Sequence, residues 1–166
     1  MKTKEIVLGG LLTGLALVIP LAFGGVLGIV IPPFSATLAS HVPMMIAMIV
    51  SPGVAVMVGI GSALGFLIKL GMPAIAARAF MHTFVGYAGA KMVQKGRPLY
   101  SALIWTLPLH ALLEAIIVLP FGFTLYQGLV GVGIGTALHH AIDSVITLGI
   151  LVLPIAKPLG LSSRVR

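Results

Sequence analysis

The composition of this 166-residue chain excludes a soluble globular protein. Apolar residues make up 59% of it and charged residues only 8%, whereas a soluble domain carries about 25% charged residues. With a mean hydropathy of +1.19, most of its surface must face lipid, and its length suits one transmembrane domain over residues 1–166. The net charge of +7 is spread over the ends of apolar runs, which excludes a nucleic-acid partner. The lack of cysteine excludes disulfides and thiolate metal sites.

Six apolar segments are candidates to cross the membrane, since a helix needs about 20 apolar residues to do so. Proline and glycine clusters separate the segments, as helix breakers do. In chain order they are residues 5–23, 34–50, 53–68, 73–91, 98–119 and 129–155. The sequence therefore predicts an all-α integral membrane protein, a bundle of six transmembrane helices. An irregular start is expected for the last helix, around residues 128–135.

Positive charges indicate how the six predicted helices are oriented. With six spans, both termini share a side with the second-to-third and fourth-to-fifth loops. That side holds eight cationic residues, and the opposite loops hold only Lys69; the eight are Lys2, Lys4, Lys91, Lys95, Arg97, Lys157, Arg164 and Arg166. Because cytoplasmic loops are enriched in Lys and Arg, we predict cytoplasmic termini and a multi-pass protein of a prokaryotic plasma membrane.

The first helix carries a stripe of small residues, with Gly10 and Gly14 four positions apart. Small residues at this spacing let a second helix approach closely, and such packing drives helix association in lipid. The stripe predicts either a docking face for a partner or an internal packing face.

The outer segment after this helix, residues 24–33, is apolar and rich in glycine. Its composition predicts a segment that folds over the top of the bundle as a lid, with Gly24, Gly25, Gly28 and Pro33 as gating residues. Immersion of the segment in the bilayer is the alternative.

Ionisable residues inside predicted helices are the strongest functional signal, because a charge at membrane depth is costly. Three helices each carry a pair with four-residue spacing, which places both side chains on one helix face. The pairs are Arg78 with His82, His110 with Glu114, and His139 with Asp143. Counting residues from the helix ends places all of these residues except Asp143, which lies deeper, in one layer of the outer half of the bundle, together with His41. The layer predicts a pocket that opens to the outside.

Three interpretations of this polar layer remain open. It can be a polar ligand pocket, or Arg78 and Glu114 can form a structural ion pair with the histidines as hydrogen-bonding links between helices. It can also be a transition-metal site, because His and carboxylate residues four apart are acceptable ligands. Asp143 is expected to bond His139 or His140 rather than to contact a ligand.

Motifs for catalysis are absent from the sequence. It contains no G-x4-G-K-[ST] phosphate loop, so the chain is not expected to hydrolyse ATP. It also lacks G-x-S-x-G and H-E-x-x-H, which disfavours an intramembrane hydrolase or zinc protease. The sequence predicts a protein that is not an enzyme and needs no cofactor.

These features together resemble the S-components, the substrate-binding subunits of energy-coupling factor (ECF) vitamin importers. Residues 31–66, 76–90 and 110–122 are most similar to the niacin-type branch. The resemblance implies capture of a water-soluble vitamin on the outer side, with a transmembrane coupling (T) protein and two ATPase subunits as partners. It also implies that Gly10 and Gly14 occupy the docking motif of the first helix, and that residues 24–33 gate the pocket.

For niacin, the resemblance implies a site in which Arg78 binds the carboxylate. His82, His110 or His139 would then hydrogen-bond the ring nitrogen, with His41 nearby and Tyr87 or Trp105 stacking on the ring. Glu114 could instead neutralise Arg78 or select a cationic vitamin. The alternatives to a vitamin importer are a divalent-metal importer subunit and a membrane enzyme that uses the His, Glu and Asp layer.

Overall fold

The computed structural model describes residues 1–153, most of which are helical. In chain order the elements are α1 (Thr3–Leu27), β1 (Gly28–Ile31), β2 (Phe34–Thr37), α2 (Val42–Val50), α3 (Pro52–Leu70), α4 (Pro73–Gln94), α5 (Leu99–Ile117), a 3₁₀ turn (Leu119–Phe121), a π-helical segment (Gln127–Gly133) and α6 (Ile134–Val152). The end of the last predicted span and its three cationic residues, Lys157, Arg164 and Arg166, lie outside the described residues.

The predicted helix breakers lie at helix ends. Ser51 caps α3 by accepting a hydrogen bond from the Val54 amide, and Pro52 follows as the first helical residue, where its missing N–H is not needed. Gly71, with a φ of 61°, ends α3 in the left-handed conformation that glycine adopts without steric cost. The irregular entrance expected for the last helix is the π-helical segment.

Within residues 1–153, four helical stretches are long and apolar enough to cross a membrane. They are Thr3–Leu27, Pro52–Leu70, Leu99–Phe121 and Gln127–Val152. α4 is also 22 residues long, but Arg78, His82 and Lys91 make it less apolar. Large apolar side chains such as Leu11, at 62% exposed, cover the outside of the bundle. The predicted membrane-type helical architecture is confirmed.

The helix predicted for residues 34–50 is wrong in its first half. Phe34–Thr37 is instead the second strand of an antiparallel hairpin, in which Gly28 pairs with Thr37 and Ile31 pairs with Phe34. Only Val42–Val50 is helical, a helix of nine residues. At 1.5 Å per residue it is roughly 14 Å long, about half the hydrocarbon thickness.

α2 forms the centre of the core. Met44, Met45 and Met48 are at most 1% exposed, and the helix packs against α1, α3, α4, α5 and α6. Unbranched methionine side chains fill irregular gaps well, which suits a short helix surrounded by longer ones. The hairpin and α2 therefore lead the chain from the surface into the middle of the bundle, where the polar layer lies.

Candidate functional site

The structure brings the predicted ion pair together. Nε of Arg78 donates to Oε2 of Glu114 at 2.9 Å, and Nη2 lies 2.8 Å from the same oxygen. The hydroxyl of Thr136 on α6 donates to this oxygen at 2.6 Å. Glu114 is 2% exposed, and these three groups compensate its loss of water. One carboxylate thus links α4, α5 and α6.

Four of the histidines surround this pair. The ring of His41, at the start of α2, lies 4.8 Å from that of His82 and 4.7 Å from that of His110, centroid to centroid. The His82 and His110 rings are 5.0 Å apart, and the His139 ring lies 4.2 Å from His41. The predicted layer of Arg78, His41, His82, His110, Glu114 and His139 is therefore one contiguous cluster.

Asp143 and His139 support the non-helical backbone between β2 and α2. Asp143 accepts hydrogen bonds from the amides of Ala39 at 2.8 Å and His41 at 2.9 Å. His139 donates through Nε2 to the Thr37 carbonyl at 3.0 Å, and this nitrogen also lies 3.1 Å from the Asp143 carboxylate. Because buried backbone groups need partners, these two side chains replace the bonds that a continuous helix would have made.

Removal of the Asp143 carboxylate should therefore destabilise the protein without a ligand. Asp143→Ala leaves two backbone amides without acceptors, each costing about 1–3 kcal/mol, so the melting temperature should fall clearly. Asp143→Asn retains one carbonyl oxygen, so its melting temperature should lie between those of wild type and Asp143→Ala. Ser144→Ala is the matched control, because within residues 1–153 the Ser144 hydroxyl bonds its own helix and a methionine sulfur. Wild-type melting of Asp143→Ala would contradict this role.

A cavity of about 290 Å³ lies beside the cluster. Its polar lining includes Arg78, His82, Glu114, His41 and His139, and its apolar lining comes largely from α1 and α3. His110 does not line the cavity and is fully buried. The volume is near the lower end of small-molecule sites, so the cavity suits a compact ligand such as a single-ring molecule.

The predicted gating segment forms part of the cavity wall. Gly24 at the end of α1 and Gly28 at the start of β1 line the cavity, whereas Gly25 and Pro33 do not. Pro33 instead packs on the π-helical segment: a Cβ added at Gly131 would lie 2.7 Å from its Cγ. The segment is thus a hairpin whose turn packs on the π-helical segment. Its role as a gate stays a prediction.

Tyr87 and Trp105 lie outside the cavity, which corrects the expectation that they stack on a ligand there. They are 48% and 63% exposed on the outer faces of α4 and α5. Each is five residues from a histidine of the cluster, His82 or His110. Five residues rotate about 140° beyond a full helical turn, so these rings point away from the layer.

Gly10 and Gly14 lie on the outward face of α1. A Cβ at either position would meet no atom within 4 Å in the described part of the chain. The neighbouring Gly9 faces inward instead, where a Cβ would lie 2.8 Å from the Met57 side chain. Internal packing of α1 therefore uses Gly9, and the Gly10–Gly14 stripe is free on the surface.

Phe34 and Thr136 belong to the site but were not predicted from the sequence, and His140 was predicted only as a possible partner of Asp143. Phe34 packs under Arg78, whose Cζ lies 5.4 Å from the ring centroid, and no pattern marks this residue. Thr136 and His140 are both fully buried and lie on the α6 stripe with Asp143. Their spacing of four and three residues, typical of one helix face, is a signal that could have found them.

The chain is similar to the niacin transporter NiaX of Lactococcus lactis subsp. cremoris (strain MG1363). The two are 38% identical over 94 residues, which are 57% of this chain and 41% of NiaX. The matched part thus spans less than half the length of this relative. No protein-family model matches the chain, and no solved structure matches it. The similarity confirms the resemblance to niacin-type transporters that the sequence indicated.

Proposed function

We propose that this chain is the membrane-embedded substrate-capture subunit of an ATP-driven ECF-type importer, and that it binds niacin from the extracellular side. The observation that carries the proposal is the cavity beside Arg78, a polar site inside an apolar bundle of a chain similar to a niacin transporter. A water-soluble vitamin needs such a site, because an apolar interior offers its charged and polar groups no partner.

Arg78 is the group that recognises the carboxylate of nicotinate. Its guanidinium has five N–H donors. One, on Nη1, bonds the Ser35 carbonyl at 3.2 Å, and Nε and Nη2 face Glu114. At least one N–H on each terminal nitrogen therefore remains for a ligand, and a carboxylate can accept both.

The rest of the cavity suits the pyridine ring. Ser40 and His82 line the cavity, and a hydroxyl or a neutral imidazole can donate to the ring nitrogen. Val58, Phe66 and Ile75 supply apolar walls for the ring faces. Oε2 of Glu114 is bonded by Arg78 and Thr136, and the adjacent guanidinium charge disfavours a cationic vitamin in the cavity.

The proposed topology has six crossings with both termini in the cytoplasm, and the second crossing combines β2 with α2. Non-helical backbone is tolerated at membrane depth where protein buries it or where it lines a cavity. This segment meets the condition, because Asp143 and His139 bond its backbone. The segregation of positive charge between the loops supports the orientation.

Cysteine labelling in intact cells tests this topology. Lys69→Cys and Thr124→Cys should react with a membrane-impermeant maleimide added outside, since Lys69 lies in the last turn of α3 and Thr124 in a loop, both on the predicted outer side. A cysteine that replaces Lys95 should react only after the cells are permeabilised, and it serves as the matched control. Labelling of Lys95→Cys from outside, or at either terminus, would contradict the proposed orientation.

Uptake of labelled nicotinate tests the proposed function. Cells that lack niacin uptake should accumulate nicotinate when they express the chain with a T protein and two ATPases, and not when an ATPase is inactivated. The chain itself has no phosphate loop, so accumulation needs an energy source from partners. Concentrative uptake by the chain alone would refute the ECF part of the proposal.

A further inference from the structure

Three buried histidine ring nitrogens of the cluster make no hydrogen bond within the described residues. These are Nδ1 of His41, Nε2 of His82 and Nε2 of His110. Buried polar atoms are normally paired. One possible ligand atom from each of these histidines and from Glu114 lies within 4.8 Å of the other three. Nε2 of His82 and Nε2 of His110 face Glu114, whereas Nδ1 of His41 lies 3.5 Å from the Asp143 carboxylate.

The hydrogen bonds of His140 fix the tautomer of His110. Nε2 of His140 lies 3.1 Å from the Leu103 carbonyl, which can only accept, so this nitrogen carries the proton. In neutral His140, Nδ1 is then an acceptor, and it lies 3.0 Å from Nδ1 of His110. His110 must therefore donate through Nδ1, and in the neutral ring Nε2 presents a lone pair.

His110, which donates through Nδ1 and presents a lone pair on Nε2, has the tautomer and the hydrogen bond of a metal-binding histidine. Histidines that bind metals donate their second ring N–H to a fixed acceptor, which sets the tautomer and the ring orientation. The lone pair of His110 faces Oε1 of Glu114 at 3.3 Å. Two acceptors that face each other at this distance repel unless a proton or a metal cation lies between them.

The separations also fit a cation. Oε1 of Glu114 lies 3.3 Å from Nε2 of His110 and 3.5 Å from Nε2 of His82, longer than the common range of N–H···O bonds. Metal–ligand bonds of about 2.0–2.1 Å give a tetrahedron with edges of roughly 3.3–3.4 Å. The longest separation in the group, up to 4.8 Å, would have to shorten by a side-chain rotation for all four groups to bind one ion.

We propose that His41, His82, His110 and Glu114 bind one divalent transition-metal ion of the Zn²⁺ class beside the cavity. Three imidazoles and one carboxylate are a donor set that suits such ions. His140 would be a positioning residue that holds His110 through its Nδ1. The ion lies at the cavity wall and is distinct from the nicotinate that the proposed function places against Arg78.

A second group of possible ligands, His41, His139 and Asp143, is not the proposed metal site. Asp143 and His139 are already engaged by the backbone of Ala39, His41 and Thr37. These bonds hold the fold between β2 and α2, and a metal would have to break them.

Cobalt titration tests the site without nicotinate. Tag-free protein in detergent, freed of metal by a chelator, should bind one Co²⁺ and show the intense visible absorption of a tetrahedral complex. His82→Ala and His110→Ala should weaken binding at least tenfold, and His140→Ala should weaken it by about ten- to a hundredfold. Thr83→Ala, next to His82 but outside the donor set, should bind as wild type does.

Circular dichroism of each variant separates loss of the site from loss of the fold. If His110→Ala does not fold, Co²⁺ binding by His82→Ala tests the site instead. The His82 side chain is 13% exposed, so its removal disturbs the packing of the bundle less. Absence of the tetrahedral spectrum in wild type, or unchanged Co²⁺ affinity in folded His82→Ala, would overturn the proposal. Neither result depends on nicotinate, so the proposed vitamin binding is judged separately.

Discussion

Replacement of Arg78 by alanine is expected to lower the affinity for nicotinate by roughly ten- to over a hundredfold. The variant loses a charge-assisted hydrogen bond worth about 1.5–3 kcal/mol, and each 1.4 kcal/mol corresponds to about a factor of ten. Calorimetry with the purified chain measures this loss directly. Nicotinamide, which has no carboxylate, should bind wild type and Arg78→Ala with a much smaller difference.

The structural ion pair complicates this result, and a double variant resolves it. Arg78→Ala leaves Glu114 charged and buried, which costs about 3–5 kcal/mol of stability, so ligand-free protein should melt lower. Arg78→Ala combined with Glu114→Gln removes the stranded charge and should recover much of the melting temperature. Nicotinate affinity should stay low in this double variant. Full affinity in it would show that Arg78 serves the fold alone.

Substitution of the outward glycines of α1 is expected to abolish transport while it leaves binding intact. In Gly14→Leu the new side chain enters open space on the described surface, so the bundle and its cavity should not change. A partner helix packed closely on this stripe would be displaced, because small residues permit the approach. Nicotinate uptake with the T protein and ATPases should fall to background, and Gly10→Leu should behave alike.

Gly149→Leu is the matched control for the docking face. Gly149 lies on α6, where an added Cβ also meets nothing within 4 Å, so the substitution adds the same side chain to a different outward surface. Its uptake should equal that of wild type. Loss of nicotinate binding in Gly14→Leu would instead mark the stripe as part of the fold.

The polar layer could be predicted from the sequence because helical geometry is regular. The four-residue spacing of Arg78 with His82 and of His110 with Glu114 fixes a shared face, and the high cost of lipid exposure turns that face inward. Depth counted from the helix ends then placed these pairs at one level. The structure brings them together through the contacts of a single carboxylate.

The hairpin could not be predicted in the same way. Residues 28–37 form an apolar stretch with β-branched residues, and a short apolar run does not distinguish a strand from a buried helix. What stabilises this stretch lies about a hundred positions away, where Asp143 and His139 bond the backbone after β2. Such partners are set by tertiary structure. The outward direction of Tyr87 and Trp105, by contrast, follows from helix phase and was available from the sequence.

Calorimetric titration of the purified wild-type chain with nicotinate, without any partner subunit, tests the central claim most directly. We expect one nicotinate to bind per chain without a partner, because the cavity is built within this chain. The affinity should be submicromolar, roughly −8 kcal/mol or better. Thiamine, a cationic vitamin, should not compete. Absence of nicotinate binding by folded protein, or preferential binding of thiamine, would contradict nicotinate recognition by this chain.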